Sequence, residues 1–185
     1  MKASDKGYKI AIVGLGYVGL PLFCLFSKHY ACIGLDKDKI RINYLNEAID
    51  YRECEKRRNI RQALQRSTLT SSYSDLRGCN IFIVCVPTGT DAQNQPDLTP
   101  LKNVCKSLSN ILKEGDIVIF ESTVFPGATE EICVPILEEG SSMKINKGFT
   151  VGYSPERINI GDKTHRIVSI PKIISASKED TLSLI

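Results

Sequence analysis

The sequence predicts an α/β fold, a doubly wound parallel sheet with helices on both faces. Three observations carry that prediction. Short unbroken apolar runs, such as residues 8–13 and 81–86, alternate with longer amphipathic stretches. Strands that are apolar on both sides belong to sheets covered on both faces. The first run ends in a glycine-rich turn, Gly14-Leu15-Gly16-Tyr17-Val18-Gly19, that opens a helical pattern. The chain of 185 residues, 42% hydrophobic and 24% charged, has the size and composition of one globular domain.

The elements follow in order. Residues 8–13 form a β-branched strand, and residues 17–28 a helix with Val18, Leu22, Leu25 and Phe26 on one face. Residues 31–35 read as a second strand, then 37–45 as a helix with Ile40 and Tyr44 inward. Between Arg52 and Arg66 lies the most basic stretch, which also holds Lys56, Arg57, Arg58 and Arg61. It reads as the solvated face of a helix whose apolar side is Ile60, Ala63 and Leu64. Residues 69–71 suggest a third strand, Asp75 caps a short turn, and residues 81–86 are a buried strand. Thr99 starts a helix through Leu112, with Pro100 in the first turn, where a missing N–H costs nothing. Residues 116–121, 149–152 and 172–175 read as further strands, with a helix at 127–137 and another after the last strand.

Composition excludes several classes. With 24 Lys+Arg against 21 Asp+Glu, the net charge of +3 lacks the concentrated basic surface of a nucleic-acid module. No run approaches the roughly 18 apolar residues of a membrane span, and the N-terminus has no apolar signal core. The seven cysteines form no CxxC pair and there are two histidines, so no metal site is expected. Cysteines inside apolar patterns behave as small hydrophobes, which suits a reduced, cytoplasmic protein.

Chemistry gathers at the ends of strands. In the glycine turn, Gly14 permits the tight bend, Gly16 a close backbone approach to a pyrophosphate, and Gly19 close helix–strand packing. The N–H groups of Tyr17 and Val18 then meet the phosphates at a helix N-terminus. Asp36, 22 residues after Gly14 at the end of the second strand, offers a carboxylate to ribose hydroxyls and repels a 2′-phosphate. That favours NAD over NADP, with Lys37 and Arg41 as nearby cations. This is a Rossmann-like pattern; a glycine turn binding nothing, or binding FAD, are the alternatives. Two further loops, Pro87-Thr88-Gly89 and Glu121-Ser122-Thr123, place threonine hydroxyls at the same sheet edge. They fit a nicotinamide site or simple turn chemistry. Glu156 and Arg157 follow the strand at 149–152, as an acid/base and anchoring pair or a structural salt bridge.

Taken together, GLGYVGLPL, CVPTG with PDLTPL, ESTVFPGATEE and GYSPERINIGDK resemble the UDP-glucose/GDP-mannose dehydrogenase family, nearest its branch acting on UDP-N-acetylhexosamines. The resemblance implies oxidation of a sugar C6 alcohol to a carboxylate with two NAD+ per product. It implies cofactor contacts from Gly14, Gly16, Tyr17, Val18, Gly19, Asp36, Arg41, Pro87, Thr88 and Thr123. Arg41 would sit beside the adenosine. Thr123 and Glu156 are the candidate catalytic residues, and Glu156, Arg157 and Ile158 would touch the UDP-sugar. Two loops depart from the family pattern, Gly89 replacing the second proline of PTP and Ile160 the proline of NPG. The family's nucleophilic cysteine stands in a GGxCxPxD-like segment, and none of the seven cysteines here has that context. The resemblance therefore implies that residues 1–185 are the NAD-binding domain alone. The helical dimerisation segment and UDP-binding domain, and the homodimer they build, would lie outside it, and the chain by itself would be inactive. A β-hydroxyacid dehydrogenase or a nucleotide-sensing module are the rival readings.

Overall fold

The structure, a computed structural model, describes residues 7–156 and 171–185. Its strands are β1 (Ile10–Val13), β2 (Cys32–Leu35), β3 (Thr68–Thr70), β4 (Ile81–Val84), the hairpin pair β5 (Gly89–Thr90) and β6 (Pro96–Asp97), β7 (Asp116–Phe120), β8 (Phe149–Tyr153) and β9 (Ser175–Ala176). Seven of them form one sheet in the order β3-β2-β1-β4-β7-β8-β9, parallel throughout except at β9.

The unbroken apolar runs are explained by what covers them. In β1, Ile10 and Ile12 join one core while Ala11 and Val13 join the other; in β4, Ile81 and Ile83 oppose Phe82 and Val84. Helices α1 (Gly19–Phe26), α2 (Lys39–Asn46) and α3 (Arg57–Ala63) cover the first face. Helices α4 (Thr99–Ser109) and α5 (Val134–Ser141) cover the second. Phe23 and Phe82 anchor the two cores with no exposed surface, and each such side chain contributes about 1.5–3 kcal/mol by leaving water. The last helix is α6 (Glu179–Leu184). Among the described residues no helix is long and apolar enough to cross a membrane.

The structure corrects four readings. In α1, Leu22 is buried as expected and Val18 and Phe26 pack half-buried against the core, but the buried face is wider and also takes in Gly19, Leu20, Phe23 and Cys24, while Leu25 is half-buried. Gly19 packs against Gly14, just beyond the end of β1, and that close approach fixes the helix rotation. In α2, Ile40 is 65% exposed and Tyr44 45% exposed, while Arg41, Ile42 and Leu45 are buried. Asp38 caps this helix by accepting from Ile40 N and Arg41 N, which sets its first turn and hence its inward face. The last strand is not residues 172–175 in a parallel sheet: Ser175–Ala176 runs antiparallel to β8, and Ile173 and Ile174 stay exposed. A two-residue edge strand has no periodicity from which its direction can be read. Finally, the helix expected at 127–137 begins as a wide turn, Thr129–Cys133, before α5. Pro135 has no N–H to donate and its ring crowds the carbonyl four residues back, which the wider turn accommodates.

The basic stretch behaves as expected. Ile60 and Ala63 are buried, Leu64 half-buried, and Arg57, Arg58 and Arg61 face solvent or lie near it.

Candidate functional site

The strand order reverses between β1 and β4, because β2 and β3 lie on one side of β1 and β4, β7 and β8 on the other. Loops leaving the two strands diverge there and open a crevice at their carboxyl ends, the usual ligand position in such sheets. The glycine turn occupies that point. Gly14 takes φ +94° and donates to the Leu35 carbonyl at 2.8 Å, and a Cβ on it would meet the Cys85 carbonyl oxygen at 2.9 Å. A Cβ on Gly19 would lie 1.8 Å from the Gly14 oxygen, so only glycine lets the helix start this close to the strand. Gly16 differs: a Cβ there meets nothing within 4 Å. Its neighbourhood is open, as a surface approached by a ligand requires. Among the described residues, the N–H groups of Gly16, Tyr17 and Val18 have no protein acceptor.

Asp36 closes the adjacent side. Its two carboxylate oxygens accept from Leu15 N and Asp38 N, each at 3.0 Å, and it is half-buried. Each oxygen keeps a lone pair for a ribose hydroxyl. Arg41, expected beside the adenosine, lies under the glycine turn. It is wholly buried, donating from Nε to the Leu15 carbonyl at 2.6 Å and from a terminal nitrogen to Asp50 at 3.0 Å. It reaches the turn from within the protein, and Asp50 matches its charge. Lys37 stays exposed.

The other half of the crevice is assembled from the ends of β4, β7 and β8. The Ser122 hydroxyl donates to the Val86 carbonyl at 2.8 Å, tying the loop after β7 to the loop after β4. Thr88 Oγ1 is buried without a hydrogen-bond partner among the described residues, an arrangement that favours a bound polar group nearby. Thr123 is exposed and Glu156 half-buried. A cavity of about 230 Å³ beside Thr123 is lined by Val124, Phe125, Pro126, Tyr153 and Ser175, among others.

Two residues not singled out from the sequence sit at the centre of this half. Glu121 is buried and forms an ion pair with Lys172, 51 positions away. Burial pushes its carboxyl above the ordinary range; Lys172 pulls it back and the Glu156 charge pushes it further up. The pair ties the chain entering β9 to the end of β7. No local spacing announces a contact that far apart in sequence. Arg157 and Ile158, expected at the sugar, lie outside the described residues.

The cysteines fit their structural reading. Burial pushes the Cys24 thiol up to about 12 and those of Cys32 and Cys79 to about 11. The buried Cys85 thiol is raised well above its ordinary value, first by burial and then by the Glu121 charge. All seven are free thiols, and no group of metal-ligating side chains forms among the described residues.

A glycine turn at the switch point, with unbonded N–H groups beside a strand-end carboxylate, defines a dinucleotide-binding domain. The comparisons narrow that class. The chain belongs to the UDP-glucose/GDP-mannose dehydrogenase family, whose NAD binding domain matches residues 8–185. It is 49% identical over 180 residues to the UDP-N-acetyl-D-glucosamine 6-dehydrogenase of Pseudomonas aeruginosa, covering 97% of this chain and 42% of that protein. It is 32% identical over 180 residues to the UDP-N-acetyl-D-mannosamine dehydrogenase of Pyrococcus horikoshii, covering 95% of this chain and 43% of that one. The solved structure of the Pyrococcus horikoshii dehydrogenase superposes with a TM-score of 0.86 at 31% identity, over 95% of this chain and 43% of the other. A ternary complex of GDP-mannose dehydrogenase from Pseudomonas aeruginosa superposes at 0.75 with 26% identity, over 81% and 36%. The chain thus spans about two fifths of the length of the curated relatives it matches. It is an NAD-binding domain.

Proposed function

We propose that this domain serves a dehydrogenase that oxidises the C6 alcohol of a UDP-N-acetylhexosamine to the carboxylate, in polysaccharide biosynthesis. The observation that carries the reading is the built adenosine side of the crevice in a chain 49% identical to a UDP-N-acetyl-D-glucosamine 6-dehydrogenase. The residues fit the cofactor. Gly16, Tyr17 and Val18 would hold the pyrophosphate through their N–H groups, with Gly14 and Gly19 shaping the turn. Asp36 would hold the adenosine ribose, while Pro87, Thr88 and Thr123 would line the nicotinamide side. NAD, when bound, accepts the hydride from the alcohol carbon.

The chain's own residues prepare that transfer. Ser122 fixes the loop that carries Thr123, and Thr123 would orient the reacting alcohol. Glu156, at the same sheet edge, would manage protons or water, with Arg157 and Ile158 next to the sugar. The covalent capture of an aldehyde needs a cysteine in the family's GGxCxPxD-like context, which none of these seven has. The homodimer belongs to this reading of the full-length enzyme. Reduced, protonated thiols suit a cytoplasmic setting.

Titration calorimetry tests the proposal. The purified chain should bind NAD more tightly than NADP and show no steady NADH production with UDP-N-acetylglucosamine. Asp36→Ala should weaken NAD binding by about 1–3 kcal/mol, the worth of charge-assisted hydrogen bonds. Unchanged affinity would remove Asp36 from the site.

A further inference from the structure

The Leu15–Gly16 peptide is gripped from inside the protein. Its carbonyl accepts from Arg41 Nε at 2.6 Å, and Arg41 has no exposed surface. A trans peptide holds its C=O and N–H on opposite sides. With the carbonyl turned inward to a buried guanidinium, the Gly16 N–H faces away from Arg41, and among the described residues it has no protein acceptor. The preceding peptide is fixed too, because Leu15 N donates to Asp36 at 3.0 Å.

Arg41 is held in turn by Asp50. The Asp50 side chain is 2% exposed and accepts from Arg41 at 3.0 Å, from Arg52 N at 3.1 Å and from Glu55 N at 2.9 Å. These backbone donors belong to the loop between α2 and α3, so the carboxylate is set by its own loop before it meets the arginine. The Tyr51 ring covers the guanidinium at 5.4 Å. A buried guanidinium lacking Asp50 would be uncompensated. Lysine cannot replace Arg41, because one ammonium on a flexible stem does not reproduce the fork that bridges carbonyl and carboxylate.

We propose that Asp50 is a positioning residue for the phosphate-binding turn. Acting through the buried Arg41, it holds the Leu15–Gly16 peptide so that the Gly16, Tyr17 and Val18 N–H groups stand ready for a pyrophosphate. The inference rests on the NAD reading above and gives Arg41 a role within the protein in place of a direct adenosine contact.

ADP and adenosine separate the two roles, since only ADP carries the pyrophosphate. Arg41→Lys and Asp50→Asn should each weaken ADP and NAD about tenfold or more, the equivalent of one lost charge-assisted bond. Adenosine binding, followed by NMR titration, should stay within about twofold of the unsubstituted chain by the same scale. The double variant should lose no more than Arg41→Lys alone, because Asp50 works only through the arginine. Misfolded molecules reduce the number of sites for both ligands equally, so stoichiometry separates that effect from affinity. Equal weakening of adenosine and ADP, or unchanged ADP affinity, overturns the inference and leaves the NAD reading standing. Failure of the unsubstituted chain to bind either NAD or ADP overturns both.

Discussion

The two halves of the crevice are built in different ways. On the β1–β2 side, every piece lies within the first 55 residues. The glycine turn, Asp36, Arg41 and Asp50 form one continuous set of buried hydrogen bonds. On the β4–β7–β8 side, the pieces come from strand ends spread between Thr88 and Lys172, and the set contains a buried hydroxyl without a partner and a carboxylate raised by burial. The first half holds three backbone N–H groups without a protein acceptor among the described residues, on a frame whose side chains are paired. The second holds a buried hydroxyl without a partner among the described residues and a buried carboxylate held by one cation.

Glycine substitutions give the largest effects on the first half and split fold from binding. Gly19→Ala forces a methyl against the Gly14 carbonyl and should cost about 3 kcal/mol of stability in urea denaturation. Gly16→Ala has open space and should stay within about 0.5 kcal/mol in the same assay. It should nonetheless weaken NAD about tenfold by obstructing the pyrophosphate. If both behave alike, the turn is structural only.

The next effect belongs to the second half. Lys172→Met leaves Glu121 buried without its cation, at a cost of about 1–3 kcal/mol near neutral pH. The sign with pH follows from Glu121. Its folded pKa lies above the unfolded one and rises further without Lys172, so the folded state takes up a proton. The variant should therefore nearly match the parent at pH below the ordinary carboxylate range. It should fall progressively behind as pH rises through the raised Glu121 value. Melting temperatures across that range decide it, and a pH-independent difference would contradict the pairing.

Thr88→Val should have the smallest effect on folding. Removing a hydroxyl that has no partner should leave stability unchanged or raise it by up to about 1 kcal/mol, since an unmade hydrogen bond is a cost. NAD affinity should fall by a similar small amount. A clear loss of stability would mean that the hydroxyl is satisfied within the protein, and the contrast between the halves would narrow.

How much was legible in the sequence follows the same division. The tight bend at Gly14, the close packing at Gly19 and the place of Asp36 at the end of β2 were legible from spacing, because a strand, a tight turn and a helix are local and their requirements fall on fixed positions. The placing of Arg41 was not legible. An arginine on a helix is normally exposed, and its burial depends on Asp50 approaching from another loop. Ile40 and Tyr44 looked like an inward face because α2 carries apolar residues all round, and the Asp38 cap together with the packing decides which turn inward. Glu121 and Lys172 gave no signal, because a pair 51 residues apart leaves no period to read.

By itself the sequence determined the kind of fold and the glycine turn, which rest on local backbone chemistry and on apolar runs that demand cover on both faces, and its motifs carried the resemblance to the family. Tertiary structure decided which groups are buried against which: Arg41 on Leu15 and Asp50, Glu121 on Lys172, and Thr88 without a partner among the described residues. Burial is a property of the packed assembly. Since burial sets the strength of a hydrogen bond, the cost of a charge and the protonation of a carboxylate, the chemistry of these side chains exists only once the sheet and its helices have closed around them.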